Sequence, residues 1–397
     1  MRQPNTLPIK ATLLLASTLT VMSGATIAPS LPAMQAHFAE VPNAAFWVRL
    51  VLTMPALLIV LGSPVAGQLV DRIGRKPLLV GSAVLYGLAG SSGFVLESLF
   101  AILVGRALLG LAVAGVMVSA TTLIADYYAG AERANFMGLQ AAFMGLGGVL
   151  FLTLGGFIAD ANWRLPFLIY LFAWLLLPTI LFTLFEPRRS TPADPSDRSA
   201  SSGLPVKLLA FIYSAALLMQ VIFYLIPVQL PFYLQQISEV GAMESGLAIA
   251  LSTLMSAIAS MNYGKVKQRF NFISILAIAF GLMGIGYIGI GLANSFWLVL
   301  LVLVPTGLGL GLLMPNLNVW VTIEAPDALR GRALGGLTTF FFLGQFLSPI
   351  VSQPISASLG LAPTYGLAGV LLAVVAGLLW TGKAQICRSI GSAAGRT

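Results

Sequence analysis

A chain of 397 residues with 58% hydrophobic and only 9% charged side chains exceeds the roughly 45–50% apolar share of soluble domains, glycine included, and its mean hydropathy of +0.94 reads as an integral membrane protein. The formal charge of +8 comes from 21 Lys and Arg against 13 Asp and Glu; these bases are spread beside apolar runs, which marks a membrane face and argues against a nucleic-acid partner. One cysteine, Cys387, and one histidine, His37, leave no disulfide, thiolate metal site or redox pair to build, so no metal or cofactor is expected.

Backbone groups in lipid must bond within a helix or a closed barrel, and each helical crossing takes about 20 mostly apolar residues. Twelve runs qualify without period-2 alternation, at approximately 9–31, 44–66, 77–96, 98–123, 134–158, 164–185, 207–234, 243–263, 271–293, 296–322, 332–357 and 361–382. The expected fold is all-α integral membrane with twelve transmembrane helices. The first run has Arg2 and Lys10 at its start but is too long for a signal-peptide core, and eleven spans follow it, so it counts as a span. It carries Ser23, Thr26 and Ser30, with Pro29 and Pro32 placed to break the helix. Of the 21 bases, all but Arg49, Arg106 and Arg164 fall in the termini or after even-numbered spans, which places both ends in the cytoplasm. The opposite loops hold Glu40, Glu97, Asp160, Glu239 and Glu244, with His37 as a loop residue.

Between spans 2 and 3 stands GQLVDRIGRKPLL, residues 67–79, with Asp71, Arg72, Arg75 and Lys76 within six positions. A positive-inside anchor accounts for the bases, yet not for Asp71, Gly67 or Gly74; a carboxylate favours helix N-termini and arginines, and glycine permits close approach or positive φ. Span 4 carries Arg106, the deepest charge. An uncompensated arginine at the bilayer centre costs about 2.5–3.5 kcal/mol even on the lenient scale, so it should face a cavity or a partner. Two readings stand: a structural arginine bonded to backbone carbonyls, or a cavity residue that tunes a proton site or draws an anionic group. Span 5 follows with Gly138, Gly145, Gly147, Gly148, Gly155 and Gly156, small surfaces for close packing.

The segment EPRRSTPADPSDRSASSGLP, Glu186 to Pro205, is rich in Pro, Ser and charge and reads as a flexible linker. It divides the chain into a six-helix bundle over 1–185, a linker over 186–205, a second bundle over 206–383 and a tail over 384–397. The halves repeat at an offset of about 198 residues: DYYAGAERANFMGL from Asp126, which includes Arg133, aligns with EAPDALRGRALGGL from Glu324. Six spans per repeat insert both halves the same way up. Span 7 then offers Gln220, Tyr224, Gln229 and Tyr233 around Pro227 and Pro231, and a degraded second copy of the charged loop, YGKVKQRF, follows span 8. Span 10 adds Asn316, Asn318 and Trp320, and span 11 adds Gln345.

The stretch G-x-L-x-D-R-x-G-R-K-P, in Gly67, Leu69, Asp71, Arg72, Gly74, Arg75, Lys76 and Pro77, closely resembles the signature between spans 2 and 3 of the major facilitator superfamily. Ile102 to Gly110, with Arg106 at its centre, resembles the span-4 signature of that family's proton-coupled exporters. Gly155-Gly156 matches the end of a span-5 exporter signature whose Gly-Pro is here Phe151-Leu152. The resemblance implies two pseudo-symmetric six-helix bundles that work by alternating access. It further implies a cytoplasmic latch of Gly67, Asp71, Arg72, Gly74, Arg75, Lys76, Asp126 and Arg133, in which Asp71 engages the start of span 11 and Arg75 pairs with Asp126. It also implies a cavity lined by spans 1, 4, 7 and 10, which makes Ser23, Thr26, Gln220, Tyr224, Gln229, Tyr233, Asn316, Asn318, Trp320 and Gln345 the substrate-binding candidates.

The resulting expectation is a monomeric multi-pass transporter of the plasma membrane that exports a small apolar or amphipathic compound, with protons as the implied counter-ion. No acidic residue lies deep in a span to carry those protons. Import of a sugar, organic acid or amino acid is the alternative, and a scaffold or sensor the remote one. No nucleotide-binding G-x-x-x-x-G-K-[ST] motif is present, and no nucleophile–base set supports an enzyme.

Overall fold

The computed structural model describes residues 6–187, 205–326 and 329–390. Most of the predicted linker, the end of the tail and the Cys387 side chain lie outside the described residues. Twelve described helices are long and apolar enough to cross a membrane: α1 (Leu7–His37), α2 (Ala44–Ile73), α3 (Arg75–Phe94), α4 (Leu99–Tyr127), α5 (Gly130–Ala161), α6 (Leu165–Thr183), α7 (Val206–Ser238), α8 (Ala242–Met261), α9 (Phe272–Leu292), α10 (Phe296–Glu324), α11 (Arg330–Leu359) and α12 (Leu361–Ile386). They reproduce the twelve predicted runs, several extended by a turn or two. In α2 nothing interrupts the helix until Gly74, so Asp71 and Arg72 stand on its last turns rather than in a loop.

Proline acts unequally. In α1 a regular helix ends at Ala25, a 3₁₀ turn covers Ala28–Ser30, and Leu31–His37 resumes; Pro29 and Pro32 supply no N–H there. In α7 the helix runs Val206–Phe223 and resumes over Leu225–Ser238, just before Pro227 and Pro231. Pro55 and Pro64 in α2, by contrast, lie within a continuous helix.

By contact the chain forms two compact units, Met1–Arg189 with Ile226–Ala250, and Ser190–Leu225 with Leu251–Thr397. In the first, α4 packs on α2 and α3, and α1 on α5. In the second, α9 packs on α12 and α10, and α11 on α7. Small residues set these distances: a Cβ on Gly284 would come within 3.0 Å of the Gly369 carbonyl and of the Ala373 nitrogen, which is backbone-to-backbone packing between α9 and α12.

Candidate functional site

The turn between α2 and α3 is built on Gly74, whose φ of +101° and ψ of 166° belong to a region open essentially to glycine alone. A Cβ there would also lie 2.8 Å from the Glu186 carboxylate. That carboxylate caps α3, accepting the backbone N–H of Arg75 and of Lys76 at 2.8 Å each, where the helix dipole favours an anion. Lys76 Nζ in turn donates to the Leu181 and Leu184 carbonyls, 2.7 Å each, at the C-terminal end of α6. Arg75 Nε donates to Asp126 Oδ2 at 2.9 Å, in a pair whose side chains are 15% and 28% exposed. Beside it the Tyr127 hydroxyl donates to the Phe185 carbonyl at 2.5 Å and the two rings stack at 4.6 Å. At that exposure the ion pair contributes about 0–1 kcal/mol, so its weight lies in register: it ties the turn to the ends of α4 and α6.

Three further latch candidates lie at exposed helix ends. Asp71 and Arg72 are exposed on the end of α2, and Arg133 is exposed on the first turn of α5. Gly67 sits inside α2, and a Cβ there would meet no described atom within 4 Å.

Arg106 is 1% exposed. Its Nε donates to the Val51 carbonyl at 2.9 Å, one terminal nitrogen to the Tyr170 hydroxyl at 2.8 Å, and the other to the Ser23 carbonyl. Both carbonyls are orphans of their own helices. Val51 lies four residues before Pro55, which has no N–H to give, and Ser23 lies in the last turn before α1 breaks. Hydrogen bonds to a charged group contribute about 1.5–3 kcal/mol each, so three of them outweigh the insertion cost quoted above. Of the two readings of Arg106, this geometry is that of an arginine bonded to backbone carbonyls, and no ion pair involves it among the described residues.

Ser23 and Thr26 are buried, with their hydroxyls returned to the Thr20 and Met22 carbonyls at 2.9 and 2.8 Å, and Asn318 Nδ2 is returned to Met314 at 2.9 Å. Asn316 joins elements: its Nδ2 donates to the Phe272 carbonyl at 3.0 Å, and its Oδ1 faces the Tyr263 hydroxyl at 3.3 Å. Trp320 stacks on Phe272 at 5.2 Å. Gln229 accepts from Arg49 Nε at 2.7 Å. Tyr233 and Gln345 are buried and Tyr224 is half-buried. Gln220 differs from all of these: it is 1% exposed, and neither its Oε1 nor its Nε2 has a hydrogen-bond partner among the described residues. A buried unsatisfied polar group costs about 1–3 kcal/mol.

Several residues that matter escaped the sequence reading. Tyr86 and Tyr170 donate to the Leu19 and Ser23 carbonyls at 2.7 and 3.0 Å, while Tyr287 and Tyr365 donate to those of Ile222 and Leu225 at 2.7 and 2.9 Å. In each pair the ring centroids are 5.9 Å apart. The 198-residue repeat was the available signal, but the corresponding tyrosines sit 201 and 195 residues apart, on either side of that offset. Glu186 was hidden as the first residue of a polar linker, and Arg49 and Asp160 were noted only for their place in the charge pattern.

A family model described as Major Facilitator Superfamily matches residues 13–349, and again 212–385. Among curated proteins the chain is 23% identical over 318 residues to the quinolone resistance protein NorA of Staphylococcus aureus strain MRSA252, covering 79% of this chain and 81% of that one. It is 26% identical over 354 residues to the bacillibactin exporter of Bacillus subtilis strain 168, covering 83% and 84%. Among solved structures it superposes on a D-xylose-proton symporter with a TM-score of 0.79 at 17% identity, covering 94% and 97%. A bacterial homologue of the human lysosomal transporter Spinster gives 0.78 at 16% identity, covering 98% and 99%.

Proposed function

The chain belongs to the major facilitator superfamily, whose members are transporters rather than enzymes, and from that premise we propose that it exports a small apolar or amphipathic compound by alternating access. The observation that carries the substrate class is Gln220: a buried amide with neither polar atom paired among the described residues suits a ligand that offers one or two hydrogen-bonding groups on an apolar body. The absence of any described acidic residue from the middle of a helix also favours weakly charged cargo. Export is supported by the relatives, a quinolone resistance protein and a bacillibactin exporter.

In this reading the termini and the Gly74 turn face the cytoplasm, residues 1–185 and 206–383 act as two six-helix bundles, and the Arg75–Asp126 pair belongs to a latch that Asp71 completes against the start of α11. Protons are the proposed counter-ion. Because the described carboxylates stand at helix ends and connections, proton exchange would pass through one of these, and Asp126, held in an ion pair with Arg75, is the candidate.

The test is flux of a quinolone and of bacillibactin in proteoliposomes, with and without an imposed pH gradient. Gln220→Ala should raise KM about fivefold, the effect of losing roughly 1 kcal/mol of hydrogen bonding, with abundance in the membrane unchanged. Equal KM values would remove Gln220 from the site. A flux indifferent to the gradient would exclude protons, and a gradient effect that persists in Asp126→Asn would clear Asp126.

A further inference from the structure

On the face opposite the Gly74 turn, the segment Ile226–Ala250 is held to the rest of the first unit by two polar fastenings. At one, Asp160 at the end of α5 caps α8: Oδ1 accepts the Ala242 N–H at 2.7 Å, and both carboxylate oxygens lie 3.3 Å from the Met243 nitrogen. The approach is backbone against backbone, since a Cβ on Gly156 would fall 2.7 Å from the Ala242 carbonyl and 3.2 Å from Gly246 Cα. At the other, Arg49 of α2, 5% exposed, donates to Gln229 of α7, to Gln35 of α1 and to the Ala45 carbonyl, each at 2.7 Å, and lies 3.8 Å over the Phe232 ring. A cavity of about 490 Å³ lined by Gln35, Asn43, Phe232 and Gln235 among others opens beside this second cluster.

We propose that Asp160 and Arg49 are positioning residues for transport: together they fasten the outer part of α7 and the start of α8 to α1, α2 and α5, and this face opens only when both contacts release. The proposal rests on the alternating-access reading above. Physically the two contacts suit a reversible fastening. Each joins a charge to neutral dipoles, a helix end at Asp160 and amides at Arg49, so releasing them into water exposes groups that water solvates well, while the glycine contact between Gly156 and Gly246 leaves no interlocked side chains to disentangle.

The experiment uses the full chain in a Cys387→Ser background, with Ser245→Cys near the fastened face or Gln140→Cys near the Gly74 face, in vesicles treated from either side with a membrane-impermeant thiol reagent. Asp160→Ala should speed Ser245→Cys modification from the opposite face about fivefold, the population shift that deleting a helix cap produces, and slow Gln140→Cys modification. Asp160→Asn, which keeps an acceptor, should restore most of the parent behaviour, and Arg49→Gln should act like Asp160→Ala. Should Asp160→Ala fail to accumulate, Arg49→Gln carries the same test. Modification that rises on both faces alike indicates a loosened protein and overturns the proposal, as does an unchanged rate. Flux of a quinolone is measured on the same vesicles: an unmoved accessibility in a protein that transports sinks the fastening, whereas a shifted accessibility in one that moves no substrate sinks the transport reading.

Discussion

Arg106 draws its position from a proline on another helix. Pro55 deprives Val51 of its intrahelical donor, and the break in α1 leaves Ser23 in need of one; a single guanidinium supplies both and adds the Tyr170 hydroxyl. Lysine could not do this, since its compact ammonium lacks the planar fork that reaches three acceptors on separate elements. Arg106→Gln should therefore cost about 2–5 kcal/mol, about 1–3 kcal/mol for each carbonyl left without its donor, and Arg106→Lys nearly as much, as measured by unfolding in a denaturing-detergent titration. Pro55→Ala returns an N–H to the Val51 carbonyl, so the Pro55→Ala/Arg106→Gln double variant should be milder than the sum of its singles by about 1 kcal/mol. Strict additivity would show that Arg106 does not compensate Pro55.

At the scale of elements, the interruptions in α1 and α7 are handled alike. Each break exposes carbonyls inside the membrane, where no water can satisfy them, and each is met by two tyrosines from two neighbouring helices: Tyr170 reaches Ser23 and Tyr287 reaches Ile222 at the breaks, while Tyr86 and Tyr365 donate to Leu19 and Leu225, whose own intrahelical donors lie within regular helix. In α7 the reason is explicit: the Phe223 carbonyl would need an N–H from Pro227, and Tyr287 lies 3.2 Å from it as well. Tyr287→Phe should lower stability by about 1–3 kcal/mol, the cost of a buried unsatisfied carbonyl, and Tyr86→Phe by about 0.5–1.5 kcal/mol, the net value of one hydrogen bond, because the Leu19 carbonyl keeps its donor within the helix; equal losses in an unfolding titration would contradict this distinction. The breaks themselves were legible in the sequence, since Pro29, Pro32, Pro227 and Pro231 announce them. The tyrosines were not, because a hydroxyl finds its carbonyl across 64 to 147 residues of chain, a distance that no local periodicity encodes. Hydropathy likewise located all twelve helices but stopped α2 at residue 66, because charge marks the end of an apolar run rather than the end of a helix; only the Gly74 backbone ends that one.

For the whole molecule, polar contacts stand at opposite ends of the helices. The Gly74 face has Arg75–Asp126 and the Glu186 cap, and the opposite face has Asp160 on α8 and Arg49 on α7. The first set could be read in part from one charged heptad and its repeat. The second could not, because Asp160 and Arg49 meet backbone N–H groups and amides, which carry no complementary charge to search for. A transporter that alternates must keep its two closed states close in energy, so that fastenings on the two faces offset one another. Asp71→Ala, which removes the proposed contact to α11, should bias the protein toward opening at the Gly74 face and slow Ser245→Cys modification. Asp160→Ala should do the reverse. These sites act on one equilibrium from opposite ends of the molecule, so their free energies should add. The double variant should return both modification rates to within about twofold of the parent while accelerating interconversion, which turnover under saturating substrate would report. If the double variant instead keeps the bias of either single change, the two faces are not coupled through one two-state equilibrium, and the fastenings act only as local structure.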